Sequence, residues 1–203
     1  MTKSRPAGHF ERLYRSNPDP WGFATSPYEQ AKYRHTLNAL PHGRFLSGLE
    51  IGCSIGVLTG MLATRCDRLL GVDIVEAPLQ AARMRCADQP RVRFERMHVP
   101  AEWPADRFDL MVFSEVLYFL SAGDIGRCTD HVANTLLPGG IVVLVNWLGD
   151  AGTGDPSAGN PSAGDPSAGD AGPDRFIEAS KNFLRVTHHE RRARYRLDLL
   201  RPA

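Results

Sequence analysis

The chain switches repeatedly between short apolar runs and stretches in which apolar residues recur every three or four positions. That is the mark of strands alternating with helices. Phe45, Leu46, Leu49 and Ile51 form the first run and predict a strand over 45–51, and the residues after it have helical spacing over 57–65. Further strands are predicted at 68–73, 91–97, 108–113 and 141–145. A helix over about 76–87 falls between the first two, and another, with Ile125, Val132 and Leu136 on one face, ends at Leu137-Pro138-Gly139-Gly140 before the last. Residues 183–187 and 193–200 read as a closing hairpin with His188-His189-Glu190 in its turn, solvated rather than metal-binding because neighbouring side chains on a strand point apart. Ahead of all this, Ser26-Pro27-Tyr28-Glu29 is a capping box with proline at the first helical position, opening a helix that runs to Leu40 and stops at Pro41. The expectation is an α/β fold: a seven-stranded, mostly parallel sheet with a C-terminal antiparallel hairpin and helices on both faces. Residues 1–203 read as one domain, with 1–43 as an N-terminal cap region and 149–173 as a flexible low-complexity loop.

The turn after the first strand carries the chemistry. It reads Glu50-Ile51-Gly52-Cys53-Ser54-Ile55-Gly56, and Gly71-Val72-Asp73-Ile74 closes the second strand about 20 residues further on, where an acid accepts hydrogen bonds from ribose hydroxyls. A dinucleotide fingerprint wants glycine where this chain has Ser54 and Val57. Glu50 would also add negative charge beside a pyrophosphate, whereas it suits a ligand with a free ammonium group. These residues resemble the acid-x-Gly-x-Gly-x-Gly turn of class I S-adenosylmethionine-dependent methyltransferases, with Ser54 standing for the middle glycine. The resemblance implies the Rossmann-like class I methyltransferase fold and S-adenosyl-L-methionine as cofactor, leaving S-adenosyl-L-homocysteine. It implies cofactor contacts from Glu50, Gly52, Cys53, Ser54, Gly56, Asp73, Ile74 and Ser114. The family often has an acid for the adenine amine where this chain has His98, so backbone groups around His98 and Val99 are expected there, with Glu102 as a second candidate.

Open α/β sheets bind ligands outside the carboxyl ends of their strands. The fourth strand delivers Ser114-Glu115-Val116-Leu117-Tyr118-Phe119 to that edge. A carboxylate there can hold an ammonium or hydroxyl group in line with a methyl donor or take its proton, so Glu115 and Tyr118 are the candidate catalytic pair. The competing accounts are a helix N-terminal acid for Glu115 and a plain pocket wall for Tyr118. Asp19-Pro20-Trp21, Ser26-Pro27-Tyr28-Glu29, Lys32-Tyr33, Ser114–Leu120, Val145-Asn146-Trp147 and Tyr195-Arg196-Leu197-Asp198 resemble the NodS family. Its members are nodulation-type N-methyltransferases acting on the free amine of a partly deacetylated chitooligosaccharide. The resemblance implies a small-molecule acceptor, an amino sugar or oligosaccharide, with Trp21, Tyr28 and Tyr33 covering the cofactor or stacking on sugar; a hydrophobic staple and helix core is the other account of them. O-methylation of a small molecule and a catalytically silent methyltransferase-like binding module are the alternatives, followed by a nicotinamide-dependent oxidoreductase.

Composition narrows the field. The chain has 203 residues, 42% of them hydrophobic, and a formal net charge of +1, so no electrostatic case for nucleic acid exists. No apolar run reaches the roughly 20 residues of a membrane span, and the start lacks the apolar stretch of a signal peptide. Cys53, Cys66, Cys86 and Cys128 form no C-x-x-C pair, which points to reduced thiols and a cytoplasmic protein. Residues 155–169 repeat one pentapeptide three times, a composition that cannot bury a core; a substrate lid and an inert surface expansion are both open.

Overall fold

The computed structural model describes residues 3–148 and 171–203. Seven strands form one sheet in the order β3-β2-β1-β4-β5-β7-β6. In chain order they are β1 (Gly48–Ile51), β2 (Leu69–Asp73), β3 (Val92–Arg96), β4 (Phe108–Ser114), β5 (Leu136–Trp147), β6 (Leu184–Arg191) and β7 (Tyr195–Pro202). The first five are parallel, and β7 runs antiparallel to both β5 and β6. The helices are α1 (Ala7–Ser16), α2 (Pro27–Ala39), α3 (Val57–Leu62), α4 (Glu76–Arg85), α5 (Ala122–Thr135) and α6 (Ala171–Ser180).

Alternation along the central strands sorts the core into two layers. Met111 and Phe113 of β4 with Val142 and Leu144 of β5 face Ile125, Cys128 and Val132 of α5 and Phe176 of α6. Leu110 and Val112 with Ile141 and Val143 face Tyr33 of α2 and Leu58 and Leu62 of α3. Each such fully buried side chain contributes about 1.5–3 kcal/mol relative to exposure. The sheet is thus covered on both faces, and its ligand edge is the line of carboxyl ends at β2, β1, β4 and β5.

Several details differ from the sequence reading. Strand one is shorter, 48–51, because Phe45 makes only an isolated bridge to Cys66. Leu136 belongs to β5 rather than to the helix before it, and that strand continues to Trp147, where β7 supplies partners. His188-His189-Glu190 lies inside β6, not in the hairpin turn: His189 is paired in register with Asp198 and bonds its carboxylate at 2.7 Å. Two helices were missed. In α1, Phe10, Leu13 and Tyr14 have one-face spacing ahead of an Asn17-Pro18 stop, a signal that was legible. In α6, Phe176 is fully buried against Phe113, at 5.1 Å between ring centroids. Residues 171–173, expected at the end of the low-complexity loop, form the first turn of α6; its residues 149–170, repeats included, lie outside the described residues.

Candidate active site

The sheet order reverses between β1 and β4, and their chain continuations diverge there, as ligand sites in such folds require. A cavity of about 1150 Å³ opens at this point, bordered by Gly52, Asp73, His98 and Glu115 from the sheet edge and by Trp21 and Tyr28 from the N-terminal segment. That is slightly larger than the roughly 300–1,000 Å³ of most ligand sites.

On the β1–β2 side the wall is a loop of tight backbone. Gly52 has φ +79°, and a Cβ there would sit 2.2 Å from Val116 Cγ1, so only glycine lets the loop pass the segment after β4. Gly56 serves packing instead: its missing Cβ would lie 2.8 Å from the Ala82 Cβ on α4, and it does not border the cavity. Ser54, where the family pattern has glycine, takes φ +49°, a strained value for a side-chain-bearing residue. Its hydroxyl is 2.5 Å from the Tyr14 hydroxyl on α1, and its N–H donates to Asp73 Oδ2 at 3.0 Å. Val75 N–H donates to Asp73 Oδ1 at 3.0 Å. Burial raises the Asp73 carboxyl to about 6, the bonds from the Val75 and Ser54 N–H groups opposing it.

Glu50 lies one layer deeper. It is buried, and with Cys53 it borders a small void of about 20 Å³ beside Ser114 and Glu115. Its Oε2 has no hydrogen-bond partner among the described residues. Burial raises its carboxyl to about 8, with Asp73 adding to the effect and the neighbouring Thr59 hydroxyl opposing it. A buried carboxylate oxygen without a partner beside a glycine cradle fits a cofactor that brings its own ammonium. Ile74 and Val99 border the cavity, as does exposed His98, whose N–H is already donated to Glu102 Oε2 at 2.6 Å. Glu102 is thereby held at the backbone and does not border the cavity.

On the β4–β5 side the wall is built from side chains. Glu115 follows β4 at φ +60°. Its Oε1 accepts from Lys32 Nζ of α2 at 2.6 Å, and its Oε2 accepts from the Trp147 N–H at 2.9 Å. Lys32, 3% exposed, also pairs with Glu29 at 2.9 Å. Burial works against the Lys32 charge, but the Glu115 and Glu29 carboxylates outweigh it and hold its ammonium above the ordinary value. Tyr28 borders the cavity with its ring beneath Arg194, 5.3 Å away, and its buried hydroxyl has no partner among the described residues. Ser114 and Tyr118 are both buried along the same wall, Tyr118 against Phe119 at 4.4 Å.

The N-terminal segment closes the third side. Asp19 accepts from the Phe23 and Ala24 N–H groups at 2.8 and 2.9 Å, which fixes the turn presenting Trp21. Trp21 stacks on Phe23 and meets Tyr14 edge-on, each at 5.5 Å. The fold thus brings most of the residues singled out from sequence to one cavity, with Glu50 and Cys53 behind its wall and Gly56 in the packing of α4. Tyr33 lies in the core beneath α2, where its ring packs on the sheet and does not border the cavity. Sequence reasoning missed Lys32, Glu29 and Tyr14 as site groups. The i, i+3 spacing of Glu29 and Lys32 was a legible pair, but nothing local ties Lys32 to Glu115, 83 positions away.

The family model for nodulation protein S matches residues 10–137. Nodulation protein S of Bradyrhizobium diazoefficiens is 35% identical over 103 residues, 50% of this chain and 49% of that protein. Nodulation protein S of Rhizobium tropici is 33% identical over 129 residues, 62% of this chain and 53% of that one. The aligned part of the chain therefore spans about half the length of these curated relatives. Among solved structures, the N-methyltransferase NodS from Bradyrhizobium japonicum WM9 in complex with S-adenosyl-l-homocysteine superposes with a TM-score of 0.78 at 25% identity, covering 97% of each chain. With more than half of its residues inside the family model, and with the glycine turn, the Glu115 segment and the N-terminal wall meeting at one cavity, this chain belongs to the nodulation protein S family.

Proposed function

We propose that this single-domain chain is an S-adenosylmethionine-dependent methyltransferase that methylates the amine nitrogen of a small acceptor, an amino sugar or short amino-oligosaccharide. The observation that carries the reading is Glu50: a buried carboxylate oxygen without a partner, behind a glycine loop whose neighbour Asp73 ends β2 at the cavity. The relative crystallised with S-adenosyl-l-homocysteine supports the same cofactor here.

In this reading Glu50 takes the cofactor's ammonium, Gly52 and Ser54 let the backbone approach it, and Asp73 accepts the ribose hydroxyls. Backbone around Ile74, His98 and Val99 borders the adenine, and Ser114 and Trp21 close on the rest. The cofactor supplies a methyl group activated by a sulfonium. Glu115 and Tyr118 face the acceptor, and the unpartnered Tyr28 hydroxyl is a further polar group for it. An acceptor that binds as an ammonium first releases a proton to water to free its lone pair. The neutral nitrogen then bonds the methyl carbon as the carbon–sulfur bond breaks, and the product ammonium gives up its own proton to water. Positioning carries much of such a displacement.

The wall around Lys32 favours an amine over a hydroxyl. Two carboxylates against one ammonium leave net negative charge, which suits a cationic acceptor, and both Glu115 oxygens are already bonded, which suits holding a group better than taking its proton. Among the described residues no helix is long and apolar enough to cross a membrane, and all four cysteines are buried and free. Free thiols support action in a reducing compartment, the cytoplasm.

Calorimetric titration with S-adenosylhomocysteine, with NADH as control, tests the cofactor. Micromolar binding of the first alone is expected; binding of NADH alone would move the oxidoreductase reading ahead. Matched amino and hydroxy versions of one sugar then separate N- from O-methylation, with turnover of the amino form expected.

A further inference from the structure

Lys32 is a buried group of the cavity wall to which the proposed reaction gives no task. Its side chain is 2% exposed, yet it carries an ammonium between two carboxylates that are 11% and 10% exposed. Burying such a cluster is a poor route to stability, since apolar residues of similar volume commonly serve at least as well. The geometry suggests another purpose. Lys32 Nζ holds Glu115 Oε1 at 2.6 Å, while the Trp147 N–H holds Oε2 at 2.9 Å. The carboxylate is gripped at both oxygens, from α2 on one side and β5 on the other, on a residue whose backbone is itself in the left-handed region. The rings of Tyr28 and Tyr33 flank the ammonium at 5.4 and 5.9 Å, leaving Lys32 little room to swing away.

We propose that Lys32 is a positioning residue for methyl transfer: it fixes the Glu115 carboxylate so that a free lone pair of that carboxylate receives the acceptor's N–H and aims the nitrogen at the methyl carbon. This rests on the methyl-transfer reading above. No proton passes to Glu115 in the step. The nitrogen–carbon bond forms, the carbon–sulfur pair stays on sulfur, and the product ammonium releases its proton to water. α2 thus belongs to the acceptor machinery as well as to the packing on this face of the sheet.

A bland electrostatic role is separable from positioning. Glu29, Lys32 and Glu115 together carry a net charge of −1, and so does the double variant Glu29→Gln/Lys32→Met. The variant keeps the cluster's net charge and removes the grip. In the full chain it is expected to bind S-adenosylhomocysteine within about twofold of the parent. With glucosamine or its short oligomers as acceptor, kcat should fall about 100-fold with KM nearly unchanged, the scale expected for a misplaced reacting group. Lys32→Arg, which keeps the charge and can reach Glu115, should recover most of that loss. A kcat within threefold of the parent overturns the proposal, as does a loss that follows the drop in melting temperature and is not recovered by Lys32→Arg. A crystal structure of the double variant with S-adenosylhomocysteine gives a second test that needs no turnover: Glu115 should leave the Trp147 N–H, and an unmoved carboxylate overturns the inference. Failure of the parent itself to bind S-adenosylhomocysteine overturns the methyl-transfer reading, and this one with it.

Discussion

The two walls of the cavity treat their acids in opposite ways. On the β1–β2 wall, Glu50 is buried and Asp73 half-buried, with no lysine or arginine paired to them among the described residues. Burial raises both, to about 8 and about 6. On the β4–β5 wall, Glu29 is buried and Glu115 half-buried, and the two enclose the ammonium of Lys32. One wall leaves its charge to be balanced by a ligand, and the other balances it internally. A buried carboxylate without a cation is costly, so the first wall stores an affinity for a cationic group. The second has spent that affinity on holding a side chain still. The first arrangement suits binding, and the second suits orientation of a reacting atom.

The sharpest way to break this comparison is a matched pair of variants. Asp73→Ala removes an acid that two backbone N–H groups organise and that faces the cavity. Lost charge-assisted hydrogen bonds of about 1.5–3 kcal/mol each predict a fall of roughly 100-fold or more in S-adenosylhomocysteine affinity. Glu115→Gln should leave that affinity within about twofold and lower turnover by about 10- to 100-fold. Equal losses of affinity in the two variants would show that the walls do not divide the labour.

A smaller and more specific effect belongs to Glu50. Between its ordinary 4.5 and about 8, the folded unliganded protein keeps a proton that the unfolded chain has released. Stability of the unliganded protein should therefore fall as pH rises through that window and level off above it. A cationic ligand reverses the preference, so binding should release a proton at pH 7, and affinity should rise with pH by up to about tenfold per unit until it levels off near 8. Glu50→Gln should flatten both dependences. Thermal melts across pH and calorimetry in buffers of different ionisation enthalpy measure them, and pH-independent binding by the parent would contradict the role given to Glu50.

The smallest expected effect tests the seam between the walls and the N-terminal segment. Tyr14→Phe deletes the 2.5 Å bond to the Ser54 hydroxyl and leaves the ring packed on Trp21. A loss of about 1 kcal/mol in stability is expected, with S-adenosylhomocysteine affinity changed less than about threefold. Denaturant unfolding reads the first and calorimetry the second.

Much of this was legible because it is local. The parallel strand runs, the capping box at Ser26, the Gly52–Gly56 turn and Asp73 at the end of the second strand all depend on neighbours within a few residues. The NodS resemblance, read from short segments such as Asp19-Pro20-Trp21, Ser26-Pro27-Tyr28-Glu29 and Ser114–Leu120, holds. Errors collected where tertiary partners decide. The His188-His189-Glu190 segment looked like a turn until β7 supplied its register. Helix α6 begins where the low-complexity composition gave no hint of it, because Phe176 has a place waiting beside Phe113.

The sequence by itself determined the α/β alternation, the glycine turn and the acids at the strand ends, because period and turn chemistry are properties of short segments. The tertiary structure alone decided which acids meet a cation. Glu50 and Glu115 are both acids beside a strand end, and their sequence neighbours separate their candidate roles but not their charge partners. Only the crossing of α2 over the sheet, which carries Lys32 to one and leaves the other without a partner, makes them different groups. The environment of a buried charge is set by what packs around it across the fold, and no local pattern encodes that.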